Sequence, residues 1–166
     1  VKKNTTKGDD EGAIEPGRVK RLIISNFRGI GRQPVTIDLD KIVVLVGPNN
    51  AGKSSILRAY EAIMQDGSKD GHLTLDDFPN ATISSDYFPT IEVHTVATES
   101  PPSSKWVTEE DGEGIVKERW VWKSPGAGKR QGWNNQISGG DWDDTSFPWG
   151  PANIANARRP QPHWVK

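Results

Sequence analysis

The chain has 166 residues, 33% hydrophobic and 26% charged, with a formal net charge of −1 and no cysteine. That length suits one domain or the start of a larger one, and the near-neutral balance argues against a strongly basic nucleic-acid module, though not against a local basic patch. The missing cysteines exclude disulfides, thiolate zinc, iron–sulfur clusters and thiol nucleophiles; the scattered His72, His94 and His163 make no histidine-rich metal site, and with no run of 18 apolar residues and no signal-peptide core a soluble cytoplasmic protein without a membrane partner is expected.

Residues 1–17 are polar, lack any period and end at Pro16–Gly17, which reads as a disordered tail. Order is expected from Arg18, and 18–166 is taken as one portion of a domain. Val19, Leu22 and Ile24 give a loose strand pattern, and Asn26 to Gly31 a turn. Val35, Ile37 and Leu39 alternate with Thr36 and Asp38, as in a half-buried strand. Ile42 to Val46 are five apolar residues, four of them β-branched, which predicts a strand buried on both faces. A helix is predicted from about Ser54 to Met64, with Ile56, Leu57, Tyr60, Ile63 and Met64 on one face.

Downstream the pattern weakens. Leu73, Leu75 and Phe78 are candidates for covering an open edge of the core. Thr90–Thr98 reads as a strand, 99–114 as a polar acidic loop and Ile115–Trp122 as a strand. In that last register Glu118 faces inward with Val116, Trp120 and Trp122, at an evident cost. From about 124 the chain is rich in Gly, Pro, Asn and Asp and holds Trp133, Trp142, Trp149 and Trp164. No long helix or strand is expected there.

The segment between the predicted apolar strand and the helix reads Gly47-Pro48-Asn49-Asn50-Ala51-Gly52-Lys53-Ser54 and fits G-x-x-x-x-G-K-S/T at every fixed position. Glycines at both ends let the backbone wrap closely around phosphate oxygens, and the loop N–H groups form an anion nest. The helix behind adds its positive end. Lys53 is expected to reach the β- and γ-phosphates and Ser54 to ligate Mg²⁺, so ATP and Mg²⁺ are the cofactors expected. A guanine-specific N/T-K-x-D segment is absent, which favours adenine.

The text VKRLIISNFRGIG, followed by VTIDLDKIVVLVGPNNAGKSSILRAYEAIM, resembles the N-terminal segment of ABC-type chromosome and repair ATPases. These are the SMC, RecF and OLD (overcoming lysogenisation defect) families, and the loop wording is most similar to OLD-like AAA ATPases. The resemblance implies an α/β P-loop NTPase, an ABC-ATPase-like N-terminal lobe with a mixed β-sheet around the loop and its helix. It implies that Arg28 approaches the nucleotide phosphates, that Gly47, Asn49, Asn50, Ala51 and Gly52 line the loop, and that Ser55 packs behind Ser54. A surface residue on a turn is the competing reading of Arg28, and Phe27 reads as core rather than as an adenine platform. Lys20, Arg21 and Arg32 make either a positive rim or an ordinary solvated surface.

By the same resemblance the longer protein would be an ATPase (EC 3.6.1.-) whose heads pair as a homodimer around ATP. DNA repair or phage defence would be its setting, DNA a partner, and a Toprim nuclease domain would follow in OLD proteins. Other family elements are not found in these residues. Asp76–Asp77 and Asp143–Asp144 do not end apolar strands as a Walker B carboxylate does. Ile137-Ser138-Gly139-Gly140 imitates the signature LSGG but continues into Asp-Trp-Asp-Asp without a helical pattern. Among Gln65, Gln131 and Gln136 no magnesium-sensing glutamine stands out. Two further readings remain: a small P-loop kinase, for which an arginine-rich lid is missing, and a non-catalytic interaction fragment using the tryptophan-rich half.

Overall fold

The computed structural model describes residues 17–39, 44–48, 52–98 and 101–160. The expected tail (1–16), Ile42 and Val43 of the apolar run, Asn49, Asn50 and Ala51 of the loop, and His163 and Trp164 lie outside the described residues.

Among the described residues seven strands form one sheet: β1 (Arg18–Ser25), β2 (Val35–Asp38), β3 (Thr90–Val96), β4 (Val107–Glu110), β5 (Glu113–Val121), β6 (Lys129–Asn134) and β7 (Asp141–Asp143). Their order is β2-β1-β3-β5-β6-β7, with β4 also beside β5, and each of these ladders is antiparallel. Helix α1 (Lys53–Met64) follows the loop, and the short α2 (Ala152–Asn156) lies near the end of the described chain.

In β1, Val19 and Leu22 are both buried although three residues apart, which strict alternation forbids. A register irregularity between Val19 and Arg21 supplies the extra residue that returns both to the core face. The β4–β5 hairpin closes through Asp111–Gly112, both at positive φ (53° and 78°), between the partners Glu110 and Glu113. A two-residue loop of that hand matches strand twist, and Asp–Gly suits it.

Helix α1 turns Ala59, Ala62, Ile63 and Met64 toward Leu22, Ile24, Ile91, Val93, Trp120 and Trp122, and Phe27, Ile30, Leu73 and Phe78 complete the cluster. Burying each large member contributes about 1.5–3 kcal/mol. The predicted helix and the strands around Val19–Ile24, Val35–Asp38, Thr90–Val96 and Ile115–Val121 are all present.

Three expectations need correction. Val44 to Val46 carry no strand, and Val44 and Val46 are 75% and 86% exposed. A strand needs a ladder partner, and both edges of β1 are already taken by β2 and β3. The acidic stretch 99–114 contains β4, held by pairing with β5. The tryptophan-rich segment contains the six-residue β6, whose inward residues are Arg130, Gly132 and Asn134 rather than apolar ones. Gly132 is needed for space: a Cβ there would stand 2.6 Å from Pro148 Cδ and 2.8 Å from Trp106 Cζ3.

Glu118 faces the interior as its register requires, with 0% exposure. Arg130 reaches its Oε1 from Nε at 2.8 Å, and Arg159 reaches the same oxygen at 2.8 Å and Oε2 at 3.3 Å. Arg159 also lies over Trp120, 5.0 Å from the ring centroid. Burial pulls the Arg130 guanidinium below its ordinary pKa, opposed by the Glu118 carboxylate.

Candidate nucleotide-binding site

Gly52 is the N-cap of α1 and adopts the left-handed conformation (φ 83°, ψ 2°). Its carbonyl accepts the first helical bond, from Ile56 N–H at 3.0 Å. A residue with a Cβ would be strained here by its backbone, so glycine is what lets the chain swing from loop into helix. Lys53 opens the helix. Its ammonium turns back and donates to the carbonyls of Gly47 and, at 2.7 Å, Pro48. The two ends of the Gly47–Ser54 segment therefore meet at a helix N-terminus that has no acidic residue in its first turn. A positive helix end with no acidic residue in its first turn suits an anion.

Ser54 lies exposed in that first turn, whereas Ser55 is 8% exposed and packs inward. A hydroxyl oxygen is a ligand type that Mg²⁺, a hard ion that keeps most of its water ligands, accepts. Among the described residues no group of three or more His, Asp or Glu is arranged to hold a metal by itself.

The turn after β1 is closed by the bridge Phe27↔Ile30, and both Asn26 (φ 53°) and Arg28 (φ 50°) are left-handed. Phe27 is fully buried in the core. Arg28 is not loose on the surface. Its Nε donates to Asp77 Oδ1 at 2.9 Å, a terminal nitrogen reaches the same oxygen at 2.9 Å, and its N–H donates to the Asp77 carbonyl at 2.9 Å. Asp77 is buried, and its Oδ2 accepts from Thr74 N–H at 3.0 Å and lies 3.5 Å from Arg58 of α1. Sequence reading weighed Asp77 only as a Walker B carboxylate, set it aside, and gave Thr74 and Arg58 no role; the one visible hint was a Thr–x–x–Asp spacing, which is a capping pattern.

The remaining candidates behave as structure. Asp143 accepts from Asn134, Thr145 and Ser146, and these hydrogen bonds, led by Thr145, hold its carboxyl well below the usual range. Asp144 pairs with Lys129. Ile137 to Gly140 form a turn with Gly139 and Gly140 at positive φ, leading into β7 and not into a helix. Gln131 accepts from Arg119 at 2.7 Å. Lys20 pairs with Glu113, Arg21 pairs with Asp38, and Arg32 lies 4.2 Å over Tyr87. Trp133 and Trp142 meet edge to face at 5.4 Å.

A glycine-hinged loop whose lysine bridges its ends, opening a helix that packs on a sheet, defines an α/β P-loop NTPase, here in the form of an N-terminal lobe. Residues 18–115, more than half of the chain, match the family model described as AAA ATPase domain, and the chain belongs to that family. General ATP-binding, ATPase-like chemistry goes with that membership. Among curated proteins none matches. One solved structure comes from work on the structural biochemistry of ATP-driven dimerization and DNA-stimulated activation of SMC ATPases. It is 18% identical, covers 70% of this chain and 69% of its own, and superposes with a TM-score of 0.42, which is too loose to add to the family assignment. Among the described residues no helix is long and apolar enough to cross a membrane.

Proposed function

We propose that this chain is the ATP-binding lobe of an ATPase head of the OLD, RecF and SMC type. Lys53 and the backbone from Gly47 to Gly52, with Asn49, Asn50 and Ala51, hold the triphosphate, Ser54 ligates Mg²⁺, Ser55 backs the helix start and Arg28 contributes from the neighbouring turn. The observation that carries this is the left-handed Gly52 at the head of α1, with Lys53 spanning the loop to Gly47 and Pro48. Those carbonyls hold the ammonium where a bound phosphate would compete for it. In the longer protein, two such heads close on ATP and couple its hydrolysis to work on DNA in repair or phage defence. The OLD-like wording of the loop supports that setting.

Calorimetric titration with Mg·ATP is the test. Lys53→Ala is expected to weaken binding by at least about tenfold, or ~1.4 kcal/mol. ATP is expected to bind more tightly than GTP. Unchanged affinity after loss of the lysine overturns the reading.

A further inference from the structure

We propose that Asp77 is the positioning residue that sets Arg28 for the third phosphate of a nucleoside triphosphate held by the Gly47–Ser54 loop. The inference rests on the nucleotide reading above and goes beyond it by adding a residue outside the loop motif. Asp77 lies in the 3₁₀ turn Leu75–Asp77 of a polar stretch, yet it is only 1% exposed. Burying a carboxylate costs several kcal/mol unless it is fully bonded. Here the bonding is full and mostly spent on one partner. Asp77 Oδ1 takes two nitrogens of the Arg28 guanidinium at 2.9 Å, and its carbonyl takes the Arg28 N–H at 2.9 Å. One residue thus fixes both the main chain and the side chain of Arg28.

That grip offsets two costs. Arg28 occupies the left-handed region at φ 50°, and a long side chain resists being held in one rotamer. Oδ2 extends the link to Thr74 and to Arg58. Arg58 stands on α1, five positions along from Lys53, about 7.5 Å of helix. Asp77 therefore ties the turn after β1 to the same helix that opens at the phosphate loop. Arg58 is engaged with Glu61 and with the carbonyls of Asp70 and His72, whereas the Arg28 side chain remains 33% exposed. Arg28 is the cation of this cluster that a ligand can reach. A guanidinium fork held in place before binding suits a phosphate oxygen, since its entropy is lost in advance.

The experiment compares Mg·ATP and Mg·ADP affinities of the 166-residue chain and its Asp77→Asn, Arg28→Ala and doubly substituted variants, with near-ultraviolet circular dichroism as the check on folding. Arg28→Ala and Asp77→Asn are each expected to lower ATP affinity about tenfold with a smaller effect on ADP, and the double variant to be no worse than either. A purely structural Asp77 would weaken both nucleotides alike. An ATP-to-ADP ratio in Asp77→Asn that equals or exceeds the wild-type ratio overturns the proposal. If Asp77→Asn does not fold, Arg28→Ala decides, because it leaves Asp77 with Thr74 and Arg58; an unchanged ratio there overturns the proposal as well. Lys53→Ala separates the two levels. Loss of binding there, with Asp77→Asn unaffected, sinks only the positioning role, whereas no loss sinks the nucleotide reading and this inference together.

Discussion

At position 52 the backbone itself demands glycine. Among the described residues nothing lies within 4 Å of where a Cβ would stand, so none of them crowds the position. The left-handed φ of 83° alone penalises an L side chain, by about 1–2 kcal/mol. Gly52→Ala is therefore expected to lower the unfolding free energy by about that amount in urea titration, and to weaken ATP binding more than it destabilises the fold. Affinity and stability falling in step would place its role in folding only. This glycine was legible in the sequence, because the G-x-x-x-x-G-K-S/T spacing is local. Asp77 was not, because its meaning depends on Arg28, 49 residues upstream. A carboxylate in a polar loop looks solvated until the fold brings it an arginine.

The same contrast separates the elements. β1, β3, β5 and α1 announce themselves through apolar residues at strand or helix spacing. β6 does not, since its inward Arg130 and Asn134 become tolerable only with partners elsewhere: Glu118 for the first and Asp143 for the second. Glu118, flagged as a cost in its strand, is offset by Arg130 and by Arg159, which lies 41 residues on. Glu118→Ala would leave two buried guanidinium groups facing an empty space. It is expected to destabilise the protein by about 3–5 kcal/mol, read as a lowered urea midpoint. A loss below about 1 kcal/mol would mean that the arginines find other acceptors. The run Val44–Val46 fails in the opposite sense: its residues are ideal for a buried strand, and no described strand lies alongside to pair with it.

For the molecule as a whole, acid response follows from carboxylates that the fold keeps ionised. Asp143 is the strongest case, lowered chiefly by the hydroxyl and N–H of Thr145. Glu110 is also lowered, mainly by its hydrogen bond from Lys117. A folded-state pKa below the unfolded one adds stability that is complete above ordinary carboxylate titration, near pH ~4. That stability drains away as pH falls through the lowered value. Thermal melts are expected to decline below about pH 4, and Asp143→Asn to melt lower at neutral pH with a shallower acid slope. Equal slopes for the two proteins would remove Asp143 from this account. The stretch after α2 also has a topological effect. Gly17 N–H donates to Arg158 O at 2.9 Å, and Tyr60 of α1 donates to Pro160 O at 2.9 Å. The first and the last of the described residues are thus pinned to each other and, through Tyr60, to α1. A bridge of a few residues would join them, leaving the sheet free to be reopened at an outlying hairpin such as Asp111–Gly112.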